Sequence, residues 1–327
     1  MSIINLDHYS LEENKLNILV TGGAGYLGSI LVGELLKNNY KVNVVDNFMY
    51  NQNSLSTYFS DPNFKVITGD VRDMSLMKKE LSKNDVIIPL AAIVGAPACD
   101  MDPASATSIN KNAITQMLKQ LSNEQLLIMP TTNSAYGHGD KNNYCDESSP
   151  LNPLSQYATE KVEVEQEIMA RGNSISLRLA TVFGMSPRMR LDLLVNEFVL
   201  RAVRDRFIVI FEGNFKRNYV HVRDVAQAFL LALDKKDEFI GEIFNVGLTE
   251  ANISKNDLCL RIKEHIPDFF HIESSISKDP DQRNYVVSNA KIENLGFVPK
   301  FGLDRGISEL IMGINTLKTK NFTNTRK

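Results

Sequence analysis

The most constraining feature of this sequence is an apolar run that stops at three regularly spaced glycines. Residues 16–21, Leu-Asn-Ile-Leu-Val-Thr, are followed by Gly22, Gly25 and Gly28 in the spacing G-x-x-G-x-x-G. Apolar side chains then recur at helical spacing over residues 30–36. This order predicts a buried strand, a tight turn and an amphipathic helix. Such a turn leaves backbone N–H groups at a helix N-terminus, where they attract phosphate groups.

The three glycines have separate tasks in a turn of this kind. Gly22 would make the turn, Gly25 would let the backbone approach a pyrophosphate, and Gly28 would let helix and strand pack closely. A glycine trio also occurs in loops that bind no phosphate, so the next element matters.

Residues 41–46 predict a second strand, and it ends in Asp46. A carboxylate there can bind the adenosine ribose and repel a 2′-phosphate, which predicts NAD over NADP, although a strand-end acid can also simply cap a turn.

Four more apolar runs predict strands, and helical patterns separate most of them. The strands are predicted at residues 64–73, 86–92, 126–132 and 174–179, and the helices at 73–83, 103–121 and 155–171. Alternating strands and helices imply an α/β fold with a doubly wound parallel sheet of the Rossmann type. Ligands bind beyond the carboxyl ends of such strands.

The second half of the chain is less regular and predicts a smaller, interleaved α/β lobe. We expect a dinucleotide-binding domain over residues 1–180, to which residues 221–247 return. Residues 181–220 and 248–327 would form the substrate-binding lobe.

Charge and cysteine content exclude several classes of function. A net charge of -3 supplies no strong field for nucleic acid or anionic membranes. Cys99, Cys145 and Cys259 have no metal-ligand spacing, which predicts reduced thiols and no metal site. The N-terminus lacks an apolar signal core, and residues 318–327 read as a frayed basic tail. We therefore expect a cytoplasmic protein that binds neither nucleic acid nor membrane.

Tyr157 and Lys161 begin a strongly helical run and carry the candidate chemistry. Residues four apart lie on one helix face, and an ammonium near a phenol stabilises the phenolate. Such a tyrosine can remove the proton of an alcohol while hydride leaves its carbon. The spacing alone is common on solvated helix faces, so its meaning depends on the dinucleotide turn upstream. At the preceding strand end, Thr132 or Ser134 could orient the reacting hydroxyl.

Together these segments resemble the extended short-chain dehydrogenase/reductase family, the nucleotide-sugar epimerases and dehydratases, over roughly residues 16–300. The resemblance implies that Tyr157 is the base, that Thr132 assists it, and that Lys161 also holds the nicotinamide ribose. Tyr157 and Lys161 both belong to the cofactor-binding set that it implies. The other members are Gly22, Gly25, Tyr26, Leu27, Gly28, Asp46, Asn47, Asp70, Val71, Ala91, Ala92 and Asn110.

The resemblance also implies three substrate-binding arginines. Arg217 and Arg283 match positions that grip the diphosphate of a sugar nucleotide, and arginine suits this task because its planar fork pairs with two phosphate oxygens. Arg188, in a basic loop over residues 187–190, is a third candidate for substrate contact, although it could equally be a solvated charge. Ser134 completes the predicted substrate-binding set.

Two departures from the family pattern narrow the reaction. The dehydratases of the family carry Thr-Asp-Glu where this chain has Thr132, Asn133 and Ser134, and neither substitute is a carboxylic acid. Epimerase/reductases need a Cys/His pair, but position 134 is serine and residues 184–192 contain no histidine. The remaining reaction type is hydride transfer at a sugar hydroxyl, most often the hydroxyl on C4.

Hydride transfer at C4 has two outcomes, a released 4-ketone from a dehydrogenase or an inverted C4 from an epimerase. The runs over residues 91–99 and 180–190 are similar to those of enzymes that act on bacterial surface sugars. This similarity implies an NAD-dependent 4-dehydrogenase for a GDP-heptose-type substrate in capsule polysaccharide biosynthesis. There are three alternatives: the epimerase, a reductase working in the opposite direction, and a non-catalytic dinucleotide-binding protein.

The family resemblance further implies a homodimer or higher homo-oligomer, because its members commonly pair through a four-helix bundle. The corresponding helices here are those predicted at residues 103–121 and 155–171. Their apolar faces include Ala113, Met117, Val162 and Ile168, although burial against the sheet would explain the same residues.

Overall fold

The structure is a computed structural model that describes residues 16–139, 144–276 and 283–317. Three parts of the chain considered above lie outside the described residues. They are the N-terminus, residues 281 and 282 just before Arg283, and the predicted frayed tail. Within the described ranges, strands alternate with helices through the first half of the chain. The strands are Asn17–Thr21 (β1), Lys41–Asp46 (β2), Phe64–Thr68 (β3), Val86–Pro89 (β4), Leu126–Thr132 (β5), Ser174–Leu179 (β6), Thr181–Phe183 (β7), Phe207–Ile210 (β8), Lys216–His221 (β9), Ile243–Val246 (β10), Asn252–Ser254 (β11) and Phe270–Glu273 (β12).

The helices connect and cover these strands. They are Tyr26–Lys37 (α1), Met74–Leu81 (α2), Ala96–Met101 (α3), Pro103–Thr107 (α4), Ala113–Leu118 (α5), Gln156–Arg171 (α6), Leu194–Arg204 (α7), Val222–Asp234 (α8), Lys236–Phe239 (α9), Lys255–His265 (α10), Ala290–Asn294 (α11) and Leu303–Thr316 (α12).

A seven-stranded parallel sheet organises the molecule, in the order β10-β6-β5-β4-β1-β2-β3. The predicted doubly wound α/β fold is therefore confirmed. Chain order reverses between β1 and β4, so a crevice opens at the carboxyl ends of these two strands. The strand Ile243–Val246 pairs with β6 at one edge, which places the segment after β9 back in the main sheet.

Both faces of the sheet are buried, because successive side chains of each strand point to opposite sides. In β1, Ile18 and Val20 belong to the core beneath α1 and α8, whereas Leu19 belongs to the core beneath α2, α5 and α6. This two-sided burial explains why the strands are apolar runs rather than alternating patterns.

Two small sheets build the second lobe. Strands β11, β9 and β7 form one of them, and β12 pairs with β8 in the other. The sequence did not predict β7, β11, β12 or the long helix α12. The first three have three or four residues each, too short for a clear periodicity.

The helix predicted over residues 103–121 is interrupted. Its centre, Ser108–Asn112, is a π-helical segment between α4 and α5. Such segments insert a wider turn into a helix, and this one carries the buried Asn110.

The apolar residues considered for a helix-bundle interface are mostly committed to the core. Ala113, Met117 and Ile168 are at most 3% exposed and pack in the cluster beneath α2, α5 and α6. The structure therefore favours the alternative explanation for these three side chains, burial against the chain's own sheet, and the predicted homo-oligomer stays a prediction. Among the helices of the described residues, none has the length and apolar character needed to cross a bilayer.

Candidate active site

The glycine turn links β1 to α1 and is tightly built. Gly22 has φ +69° and donates its N–H to the Val45 carbonyl at 2.8 Å. A Cβ on Gly28 would lie 2.4 Å from the Gly22 carbonyl oxygen, so any side chain there would displace the turn. The sequence prediction that Gly28 permits close approach of helix and strand agrees with this contact.

Asp46, at the end of β2, holds the same turn from the opposite side. Its carboxylate accepts hydrogen bonds from the Ala24 N–H at 2.9 Å and the Phe48 N–H at 2.8 Å. Burial raises the pKa of this carboxyl, while the two backbone donors and the nearby charge of Arg188 oppose that shift. Asp46 therefore stabilises the turn through these hydrogen bonds, and its carboxylate also lines the cleft described next.

A cleft with about 570 Å³ of empty volume opens beyond these strand ends. Eight of the residues predicted to bind the cofactor line it, namely Gly22, Gly25, Asp46, Asn47, Asp70, Val71, Ala91 and Ala92. Asn47 donates to Asp70 at 3.3 Å, and hydrogen bonds from Arg72 lower the pKa of Asp70 to about 2. Glycines without room for a Cβ, a helix N-terminus and a buried acid fit a dinucleotide.

Six of the predicted cofactor positions lie outside this lining, and two of them, Tyr157 and Lys161, belong to α6. Gly28 serves the packing of the turn, and Leu27 packs against the core beneath α1. Tyr26 turns its hydroxyl towards the second lobe and donates to the Gly184 carbonyl at 2.6 Å. Asn110 uses both amide atoms on the backbone of Ile93, at 2.9 Å each. Because Ile93 lines the cleft, Asn110 acts on the site through that residue.

Thr132 and Ser134 form a hydrogen-bonded pair at the end of β5. The Thr132 hydroxyl donates to Ser134 Oγ at 2.8 Å and accepts the Ser134 N–H at 3.0 Å. Arg283, from the far end of the chain, donates to Ser134 Oγ as well. The structure therefore brings a predicted diphosphate-binding arginine to the predicted catalytic strand end.

Tyr157 and Lys161 begin α6 beside this strand end. Burial, with a smaller contribution from Cys99, raises the pKa of Tyr157 to about 12, while Arg190 and Arg283 oppose the shift. Lys161 donates to the Pro130 carbonyl at 3.3 Å, and burial lowers its pKa to about 8. Arg190 and Arg283 are therefore cations that favour the Tyr157 phenolate, while the same role for Lys161, which the sequence suggested, stays a prediction.

The two predicted diphosphate arginines converge on one tyrosine. Burial raises the pKa of Tyr219, and the charges of Arg217 and Arg283 both oppose that shift. Arg217 is 1% exposed, and its guanidinium lies 5.8 Å from the ring of Tyr285. The sequence analysis missed Tyr219, although it lies two residues after Arg217 on β9 and hence on the same strand face.

Arg188 lies apart from these two arginines and close to the cofactor cleft. Its guanidinium stacks 4.3 Å from the centre of the Tyr50 ring, and its charge lowers the pKa of Asp46. Tyr50 and Asp46 both line the cleft. The structure therefore places Arg188 at the end of the cleft predicted for the adenosine ribose. Arg190, two residues later, is a buried residue that the sequence analysis did not select.

Comparisons with known proteins agree with this geometry. Residues 18–247 match the model of the NAD dependent epimerase/dehydratase family. A putative UDP-glucose 4-epimerase from Methanocaldococcus jannaschii is 31% identical over 94% of this chain and 100% of its own length.

Two solved structures share the fold over nearly the whole chain. UDP-glucose 4-epimerase from Thermotoga maritima, solved with UDP-glucose, is 28% identical with a TM-score of 0.79, covering 92% of this chain and 99% of its own. UDP-glucuronic acid 4-epimerase from Bacillus cereus, solved with UDP-glucuronic acid and NAD, is 25% identical with a TM-score of 0.81 and the same coverage.

Proposed function

Because this chain belongs to the NAD dependent epimerase/dehydratase family, we propose that it uses NAD to oxidise the C4 hydroxyl of a nucleotide-activated sugar. The observation that carries the proposal is the contact of Arg283 with Ser134, beside Thr132. A cation that can pair with a diphosphate thereby lies next to a hydroxyl pair that can orient an alcohol.

Each residue of the site has a chemical task in this proposal. Arg217 and Arg283 bind the diphosphate, and Thr132 orients the sugar hydroxyl. Tyr157 removes the hydroxyl proton, and Lys161 holds the nicotinamide ribose. Bound NAD supplies the hydride acceptor. The protein contributes orientation and proton removal, which are the two effects that fixed side chains provide best.

Two fates of the resulting 4-ketone are compatible with these tasks. Return of hydride to the other face of the ketone gives a 4-epimerase, and the named relatives favour this outcome and a UDP-sugar. Release of the ketone gives a 4-dehydrogenase. The residue runs 91–99 and 180–190 support that second candidate, in the form of a GDP-manno-heptose 4-dehydrogenase of capsule biosynthesis.

A panel of nucleotide sugars distinguishes these outcomes. The protein is incubated with NAD⁺ and UDP-glucose, UDP-galactose, dTDP-glucose or GDP-manno-heptose, and ketones are trapped with borodeuteride before mass analysis. We expect C4 inversion of a UDP-sugar without net NADH. A released ketone with stoichiometric NADH would instead establish the dehydrogenase. If neither C4 inversion nor a released ketone were found with any of these sugars, the proposed function would be contradicted.

Cofactor preference tests the role of Asp46 separately. We expect the wild-type protein to bind NAD⁺ more tightly than NADP⁺, because the Asp46 carboxylate repels a 2′-phosphate. Asp46→Asn removes the charge and keeps an acceptor for one of the two backbone donors, which bond to different oxygens of Asp46. The NAD⁺/NADP⁺ affinity ratio should therefore fall about tenfold, or about 1.4 kcal/mol. Titration calorimetry measures both affinities.

Asp70→Asn is the matched control for this experiment. Asp70 also lines the cleft, but its charge is paired with Arg72 at 2.7 Å. Its replacement should leave the affinity ratio within about twofold, which is below about 0.5 kcal/mol. An unchanged ratio in Asp46→Asn would show that Asp46 only braces the turn.

A further inference from the structure

A buried set of hydrogen bonds joins the first turn of α1 to the loop over residues 184–190, here called the arginine loop. The Tyr26 hydroxyl donates to the Gly184 carbonyl at 2.6 Å, and the Ser186 hydroxyl donates to the Tyr26 carbonyl at 2.6 Å. The hydroxyls of Ser186 and Ser29 also lie 3.0 Å apart. All three hydroxyl-bearing side chains are at most 9% exposed, so these bonds exclude water.

Asn196, on α7, holds the loop from its other side. Its Oδ1 accepts the Gly184 N–H at 3.0 Å, and its Nδ2 donates to the Arg190 carbonyl at 2.8 Å. The same Nδ2 lies 3.3 Å from the Tyr26 hydroxyl. One fully buried amide therefore ties both ends of the arginine loop to Tyr26.

The arginine loop also reaches the cofactor cleft. Arg188 stacks on Tyr50, a lining residue of the cleft, while Tyr26 is the first residue of the helix that follows the glycine turn. The loop thus contacts the dinucleotide-binding domain at two points, one at the helix N-terminus and one at the cleft. Neither contact follows from the local sequence around residue 184.

A satisfied buried polar network has one favourable arrangement, because any partial displacement leaves polar groups without water or partners. A dinucleotide that binds the N-terminus of α1 restrains the backbone of Tyr26. That restraint reaches Gly184 and Ser186 through the bonds described above. Binding at the turn and ordering of the loop must then favour one another.

We propose that Tyr26, Ser186 and Asn196 form a latch through which dinucleotide binding positions the arginine loop over the cleft. The three are positioning residues for Arg188. The inference rests on the proposed use of NAD and adds the coupling between the two lobes. It also predicts slow cofactor release, since the loop would have to move away from the cleft before NAD⁺ leaves.

Hydrogen exchange measured by mass spectrometry tests the latch on the full chain. NAD⁺ should slow amide exchange at least tenfold both in the glycine turn (residues 22–28) and in the arginine loop. In Tyr26→Phe the turn should keep its protection by NAD⁺, whereas protection of the loop should fall below twofold. NAD⁺ dissociation, followed by stopped flow, should become about five- to tenfold faster, which corresponds to one or two lost hydrogen bonds.

Tyr40→Phe is the matched control, because Tyr40 is a half-buried tyrosine whose hydroxyl contacts Asp234 rather than the loop. It should behave as the wild type does. Ser186→Ala removes one hydroxyl from the loop side of the same network and should give the same pattern as Tyr26→Phe, which guards against a folding defect.

The outcomes separate the latch from the proposed function. Equal NAD⁺-dependent loop protection in wild type and Tyr26→Phe would overturn the latch, and so would a protected turn with an unprotected loop in the wild type. A wild-type turn that NAD⁺ does not protect would overturn the proposed function and the latch together. A purely structural role of Tyr26 would alter loop exchange without NAD⁺ and leave the NAD⁺-dependent change intact.

Discussion

Replacing Tyr157 by phenylalanine is expected to lower kcat by about 10²- to 10⁴-fold, the usual contribution of a positioned acid or base. The Tyr157 oxygen, as the phenolate, is the group placed to take the hydroxyl proton, and phenylalanine removes only that oxygen. Among the described residues, no side chain or backbone group forms a recorded hydrogen bond with the Tyr157 hydroxyl, so folding should be little affected. NAD⁺ affinity should stay within about threefold, or about 0.7 kcal/mol.

The measurement is a single-turnover assay with the sugar nucleotide that the panel identifies, together with NAD⁺ titration and thermal unfolding. Tyr40→Phe, which removes a hydroxyl beyond the carboxyl end of α1, should retain wild-type turnover. If Tyr157→Phe kept kcat within threefold of wild type, the proton would have to leave through another group, and Thr132 would be the next candidate.

Replacing Glu165 by glutamine is expected to destabilise the protein by about 3–5 kcal/mol, as loss of one partner does in a buried ion pair. Glu165 pairs with Arg178 at 2.6 Å, and both side chains are 4% exposed. Its second oxygen accepts from Thr131 at 2.9 Å and Ser176 at 2.6 Å. Glutamine would leave the Arg178 charge without compensation and turn an N–H₂ group towards established donors.

This buried pair matters for the site because Glu165 lies on α6, two helical turns after Tyr157. It fixes the helix against β5 and β6. Thr132 is the last residue of β5, and the second lobe begins after β6. We therefore expect Glu165→Gln to lower kcat as well as the free energy of unfolding. Urea unfolding, monitored by circular dichroism, measures the free energy of unfolding.

Glu163→Gln is the control on the same helix. Glu163 pairs with Lys111 at 2.8 Å, but the side chains are 43% and 34% exposed, so the loss should be below about 1 kcal/mol. Equal stabilities of the two variants would show that the buried pair does not anchor α6.

The arrangement of the first half could be predicted because its signals are local. The turn from Gly22 to Gly28 needs residues without Cβ atoms, and its spacing is visible within seven positions. The strands that bury both faces are continuous apolar runs, and α6 shows a clear helical period. The predicted order of strands and helices was therefore confirmed where the elements were long.

Short elements and interrupted helices could not be predicted in the same way. Strand β7 has three residues, and the π-helical segment at Ser108–Asn112 keeps a helical composition. Burial of Ala113, Met117 and Ile168 against the sheet also needed the packed structure, because an apolar helix face looks the same whether a sheet or a second chain covers it.

By itself, the sequence predicted the sheet, the glycine turn with Asp46, and the Tyr157/Lys161 pair, because each is marked by a pattern within one element or in successive elements. Only the tertiary structure decided that Arg283 meets Ser134, 149 residues earlier, and that Arg188 lies over Tyr50. It also decided that Tyr26 turns from the cofactor towards Gly184. Contacts between distant segments depend on how loops close and side chains pack, and neither leaves a periodic signal in the chain.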